Sequence, residues 1–165
     1  MAVAGVGAPS RVYIGLGANL GDRLGTIRTA IEAIARLPST TGVRASPLYA
    51  SASIGAAGPD YLNAVVEAET SLLPLDLLEA LLEIEATHGR VRSHRNAPRT
   101  LDLDLLLHGE QVIRSDVLTL PHPRLHERAF VLRPLADLVP ALVLPRLGPI
   151  AGLLRTVAAQ RVDKI

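Results

Sequence analysis

The chain has 165 residues, no cysteine and a formal net charge of +1. Disulfides, thiolate chemistry and cysteine-held zinc are therefore excluded, no bulk charge attracts the chain to nucleic acid, and no apolar run of about 18 residues offers a membrane span. This length buries about two thirds of the surface that the unfolded chain would expose, enough for a single domain over 1–165 with a flexible 1–10 segment. The opening MAVAGVGAPS lacks the basic and apolar stretches of a signal peptide, so the cytoplasm is the expected location.

In chain order, RVYIGLG reads as a strand and GANLGD as a turn, in which Asp22 can cap a helix. The apolar positions of that helix are Leu24, Ile27, Ile31, Ile34 and Leu37, and Pro38 closes it. TGVRASPLYASASI has strand character interrupted by Pro47, and the small-residue loop GAAGPD follows it. YLNAVVEAET alternates, with Leu62, Ala64, Val66 and Ala68 on one face and Tyr61, Asn63 and Val65 on the other. A second helix begins near Pro74 and stops at Gly89, and residues 90–97 read as a polar, arginine-rich, mobile loop. HGEQVI looks like a tight hairpin, LPHPRLHERA is irregular, FVLRPLADLVPAL is a short proline-broken helix, and IAGLLRTVAAQ is a closing helix. The order β, α, β, β, α, β is that of a split βαβ unit, a mostly antiparallel sheet with helices on one side.

GLGANLG is not a dinucleotide fingerprint: after Gly15 and Gly17 the third glycine, Gly21, is one place late, and a glycine-permitted strand-to-helix turn explains the run better. No G-x-x-x-x-G-K-[ST] is present either. The chemistry gathers around RTLDLDLLL, where a strand sends Asp102 and Asp104 to one face and Leu101 and Leu103 to the other. Two like charges with Cβ atoms about 6 to 7 Å apart need water, arginine or a cation between them. Arg90, Arg92 and Arg99 are near in sequence, and so are all five histidines. A solvated edge, simple ion pairs, and a Mg²⁺ site with arginine-bound phosphate all fit this set. Only three tyrosines and one phenylalanine are present, too few for a nucleic-acid stacking stripe, although Tyr61 and Phe130 could clamp one ring or simply fill the core. His122, between two prolines, has no partner spacing for zinc.

GRVRSHRNAPRTLDLDLLLHG, followed by LTLPHPRLHERAFVLRPL and preceded by YIGLGANLGDR and GPDYLNAVVEAET, closely resembles the 6-hydroxymethyl-7,8-dihydropterin pyrophosphokinases of folate biosynthesis, from about Tyr13 to Pro140. The resemblance implies a ferredoxin-like α+β fold (an α/β sandwich), in agreement with the element order. It also implies transfer of pyrophosphate from ATP to the pterin hydroxymethyl group, which releases AMP. Residue by residue, Asp102 and Asp104 would ligate two Mg²⁺ ions. Arg90, Arg92 and Arg99 would bind phosphate, with Glu85, Leu105, Thr119, His122 and Arg128 facing ATP. Tyr61 and Phe130 would sandwich the pterin, and Asn63 would read its edge, helped by Ser51 and Ile54. The implied partners are these two small molecules, with no nucleic acid and no membrane, acting on a monomer. Departures from the pattern are a loop one residue short between Arg92 and Arg99, Asn96 in place of a frequent tryptophan, Pro123 for a tyrosine, Val117 for an arginine, and SASIG for TPPLG. A ferredoxin-like module for a small ligand or RNA, and a metal-dependent phosphohydrolase, are the competing readings.

Overall fold

A computed structural model describes residues 6–52, 60–88 and 101–165. Strand β1 (Val6–Ala18) leads into α1 (Arg23–Ala35), β2 (Thr40–Ala45), β3 (Tyr49–Ser51), β4 (Tyr61–Leu72), α2 (Pro74–His88) and β5 (Asp102–His108). The chain then forms a small hairpin of β6 (Ile113–Arg114) and β7 (Thr119–Leu120), a 3-10 turn (Leu125–Glu127) and α3 (Ala129–Leu138). A second hairpin of β8 (Val143–Leu144) and β9 (Gly148–Pro149), helix α4 (Ile150–Thr156) and β10 (Val162–Lys164) follow.

The main sheet runs β10-β3-β4-β1-β5, with β2 also on β4, and its pairings are antiparallel. This is the split βαβ arrangement expected from the element order, with β1 central between β4 and β5. The strand reaches back to Val6, which pairs with Leu72, while Ser10 pairs with Thr70, so 6–10 is strand within the segment expected to be flexible. Residues 1–5 lie outside the described residues.

Alternation decides which face each strand residue takes. Val12, Ile14, Leu16 and Ala18 of β1, Leu62, Ala64, Val66 and Ala68 of β4, and Leu103 and Leu105 of β5 form one core with Ile27, Ala30 and Ile34 of α1 and Leu77, Leu81 and Ile84 of α2. Each fully buried Leu or Ile here contributes about 1.5–3 kcal/mol of transfer free energy. Helix α1 starts where Asp22 Oδ1 accepts the Gly25 N–H at 3.0 Å. A Cβ on Gly25 would crowd the Asp22 carboxylate, so a larger residue there would turn the cap aside.

Helices α3 and α4 cover the opposite face, adding a layer beyond the one-sided arrangement of the split unit. Tyr13, Val65, Leu106 and Leu107 meet Leu132, Leu135 and Ile150 there. A bulge in β5 explains the end of LDLDLLL: Leu105 pairs with Ile14 and Leu107 with Tyr13, leaving Leu106 as the extra residue. Leu106 and Leu107 therefore both enter the second core. Glu67, 4% exposed, sits on this face too. It accepts the Tyr13 hydroxyl at 2.9 Å and the Arg44 Nε and NH2 groups at 3.3 and 3.1 Å, with Arg11 3.4 Å away. A carboxylate this buried needs such partners. Burial and the Glu67 carboxylate push the Tyr13 phenol up to about 12. Strand β10 is fastened by Lys164 Nζ, 3.3 Å from Asp137 Oδ2, which also accepts the Tyr49 hydroxyl. No helix of the described residues is long and apolar enough to cross a membrane.

Candidate active site

Two glycines open a cleft on the α3 side of the sheet. Gly15 and Gly17 take the cleft face of β1, pairing with Asp104 and Asp102 of β5 on one side and Val65 and Asn63 of β4 on the other. Gly15 is thus in mid-strand and not in the turn expected from GLGANLG; Gly21, at φ +62°, is the turn residue. A side chain at Gly17 would begin 3.4 Å from Asn63 Oδ1 and 3.6 Å from Tyr61 Cδ1, in the floor of the cleft. The cavity has a volume of about 820 Å³.

Every expected site residue within the described segments lines this one cleft: Ser51, Tyr61, Asn63, Glu85, Asp102, Asp104, Leu105, Thr119, His122, Arg128 and Phe130. Arg90, Arg92, Arg99 and Ile54 lie outside the described residues, as do the 90–97 loop and Asn96. Pro123 and Val117 are at the cleft as well. Reading the sequence missed Asn19, Leu78, Leu82, Ser115 and Asp116, which also line it. For Asn19 the β1 alternation carried the signal. The loop between β6 and β7 has no periodic pattern from which Ser115 and Asp116 could be placed.

At the end of the cleft nearest β3, Asn63 is 3% exposed and its Nδ2 donates to Ser51 Oγ at 2.7 Å. Its Oδ1 faces the glycine floor. Tyr61 starts β4, and Arg23 NH1 donates to the Asp60 carbonyl just before it at 2.7 Å. Burial, with a contribution from Asp102, raises the Tyr61 phenol above its usual range. Phe130, in the first turn of α3, has the Arg128 guanidinium 5.5 Å from its ring centroid.

At the other end, β5 is the last strand of the sheet. Its Leu103 N–H, between the two aspartates, donates to Glu85 Oε2 of α2 at 2.7 Å. Glu85 is buried. Asp104 lies 3.8 Å from His122 Nε2 and 4.0 Å from Arg128 NH1, and neither contact is a hydrogen bond. His122 Nδ1 accepts the Arg124 N–H at 3.2 Å, which leaves Nε2 as the protonated nitrogen of the neutral ring. Burial lowers the imidazole pKa, Asp104 opposes this, and Arg128 and Arg124 reinforce it. His108, by contrast, is a core residue whose Nε2 lies 2.8 Å from the Leu72 carbonyl.

The two carboxylates offer hard oxygen donors on one strand face, partly open to the cleft and beside cationic groups. That set suits Mg²⁺, which takes one or two protein carboxylates and fills the rest of its shell with phosphate and water. No cluster of three acidic or histidine ligands occurs among the described residues.

The sequence profile of the 7,8-dihydro-6-hydroxymethylpterin-pyrophosphokinase (HPPK) family matches residues 13–140. The 2-amino-4-hydroxy-6-hydroxymethyldihydropteridine pyrophosphokinase of Pseudomonas aeruginosa is 52% identical over 136 residues, 82% of this chain and 84% of that protein. The enzyme of the same name from Haemophilus influenzae is 42% identical over 154 residues, 93% of this chain and 96% of that protein. Among solved structures, wild-type Plasmodium falciparum HPPK-DHPS with SDX-DHP is similar with a TM-score of 0.72 at 12% identity. That similarity covers 92% of this chain and 45% of the larger one, so this chain spans less than half its length and the likeness speaks for the fold alone. The family profile and the two bacterial relatives together place this chain in the 7,8-dihydro-6-hydroxymethylpterin-pyrophosphokinase family.

Proposed function

We propose that this cleft binds ATP and 6-hydroxymethyl-7,8-dihydropterin side by side and transfers the β,γ-pyrophosphoryl group to the pterin, with Asp102 and Asp104 holding two Mg²⁺ ions. The observation that carries this reading is the convergence of the aspartate pair, the Tyr61, Asn63 and Phe130 set, and His122 and Arg128 on one cleft above a glycine floor. A flat ligand, apolar on its faces and polar at its edges, suits two aromatic rings with an amide beside them. One Asn63 Nδ2 hydrogen is held by Ser51 and Oδ1 faces the glycine floor, so Oδ1 accepts an N–H from the pterin edge and the second Nδ2 hydrogen stays available to a ring acceptor. Ser51 thus serves by orienting Asn63.

The nucleotide lies toward Glu85, Leu105, Thr119, His122 and Arg128. Arg128, with Arg90, Arg92 and Arg99, supplies guanidinium forks for phosphate oxygens. When bound, Mg²⁺ neutralises triphosphate charge and draws the phosphates toward the aspartates. The hydroxymethyl oxygen bonds to the β-phosphorus, the bond from that phosphorus to the α,β-bridging oxygen breaks, and its electron pair leaves with AMP. The hydroxyl proton passes to a phosphate oxygen or to water, so no protein base is needed. The chain's contribution is in-line placement and cationic stabilisation. The reading includes a cytoplasmic monomer whose partners are these two small molecules.

The test is incubation with ATP, Mg²⁺ and 6-hydroxymethyl-7,8-dihydropterin. AMP and a pterin diphosphate are expected; ADP, free phosphate alone, or no product would reject the reading.

A further inference from the structure

Helix α3 begins without help from its own cap residue. Arg128 holds the N-cap position, which favours a short oxygen-bearing side chain, and makes no capping hydrogen bond. Its side chain lines the cleft instead, with NH1 4.0 Å from Asp104 and the guanidinium 5.5 Å from the Phe130 ring centroid. A residue far along the chain does the capping. Gln160 Oε1 accepts the Ala129 N–H at 2.9 Å, and Gln160 Nε2 donates to the Glu127 carbonyl at 2.7 Å. One side-chain amide thus grips the two peptide groups that flank Arg128.

Gln160 is itself held. Its N–H donates to the Val157 carbonyl at 3.0 Å, Val157 is buried in the second core, and β10, just beyond, pairs with β3 from Val162 to Lys164. Helix stability accounts for half of the grip only. Capping asks for an acceptor on the free N–H of the first turn, which Oε1 supplies. The Nε2 bond goes to a carbonyl of the preceding 3-10 turn, outside α3. Together the two bonds fix the extended backbone of Arg128, at φ −122° and ψ 109°, from which its long side chain sets out. A guanidinium on a pinned backbone has less freedom to lose when it binds an anion.

We propose that Gln160 is a positioning residue for Arg128, setting the direction in which the guanidinium enters the cleft and so the affinity for the nucleotide phosphates. This rests on the pyrophosphokinase reading, in which Arg128 binds phosphate. It brings into that reading a residue beyond the segment 13–140 that carries the family likeness. Gln160 touches no substrate; it acts through Arg128.

Titration calorimetry of the full chain with a non-hydrolysable ATP analogue plus Mg²⁺ tests this in a double-mutant cycle. Gln160→Ala is expected to weaken nucleotide binding about fivefold, and Gln160→Met, which keeps the side-chain length and loses both hydrogen bonds, to match it. In an Arg128→Ala background the same Gln160→Ala change is expected to cost less than about twofold, because the residue through which it acts is gone. A role confined to capping α3 would give the same shift in both backgrounds. Parent-like nucleotide affinity in Gln160→Ala or Gln160→Met, or an equal loss with and without the Arg128 guanidinium, would overturn the assignment. The two levels separate. If the parent chain does not bind the nucleotide, or Arg128→Ala binds it as well as the parent does, the functional reading of Arg128 is rejected and the proposal with it. Normal binding by the parent and a loss in Arg128→Ala, with an indifferent Gln160→Ala, reject the positioning role alone.

Discussion

Glu85 offers the sharpest structural perturbation. It is buried on α2 and accepts the Leu103 N–H at 2.7 Å. Leu103 sits between Asp102 and Asp104 on β5, beyond which no further strand of that sheet lies among the described residues to take its N–H. Glu85→Ala removes a charge-assisted hydrogen bond and strands a buried donor, at a cost of about 2 kcal/mol. For a chain of this length that lowers Tm by about 4–8 °C. Glu85→Gln keeps an oxygen for the same donor, so its loss is about 1 kcal/mol or less. Tm measured without nucleotide isolates this structural part, because a purely nucleotide-binding Glu85 would leave it unmoved. The aspartates ride on the released strand, so AMP formation by Glu85→Ala is expected to fall by at least about tenfold, in line with the sensitivity of transfer to small misplacements. A Glu85→Ala protein with unaltered Tm and turnover, or a Glu85→Gln protein as damaged as Glu85→Ala, would rule out this role for Glu85.

Three further outcomes are expected. Ser51→Ala frees the Asn63 amide from its 2.7 Å anchor and weakens pterin binding by about tenfold while sparing the ATP analogue; paired calorimetric titrations check it. Tyr61→Ala weakens pterin more than nucleotide, and equal weakening would remove it from the clamp. The Tyr13 phenol, at about 12 in the folded chain against 10.0 for the free side chain, contributes stability that is intact below pH 10 and lost as the pH rises toward 12. Denaturant unfolding between pH 9 and 12 should therefore fall more steeply for the parent than for Tyr13→Phe; parallel curves would contradict the Tyr13–Glu67 pairing.

Much of the architecture was legible because burial writes itself into alternation. Leu62, Ala64, Val66 and Ala68 all enter the first core, and Val65 enters the second, as the YLNAVVEAET pattern requires. Asp22 announced the start of α1 by its capping chemistry. The site was legible where a side chain's type was at odds with its strand, above all at Asp102 and Asp104. Three features were hidden. The bulge at Leu106 shifts register without any change in residue character. Glu67 looked like an ordinary polar position, and its burial depends on Tyr13, Arg11 and Arg44, which only the folded sheet brings together. Strand β10 is three residues with no apolar pattern, formed because β3 offers an open edge. Gly15 was read with Gly21 as part of a strand-to-helix turn, whereas the importance of Gly15 and Gly17 is the space they leave between β4 and β5.

The two carboxylates facing that space are proposed to hold the metal-bound triphosphate. The most direct measurement is the rate of AMP formation by Asp102→Asn and Asp104→Asn, alongside pterin affinity determined without nucleotide. Each substitution is predicted to cut the rate by about 10² or more, as loss of a preorganised charge does, with pterin binding retained. A rate within about threefold of the parent for either variant would contradict that role, since removing a charge-stabilising group at a reacting centre typically costs about 10² or more.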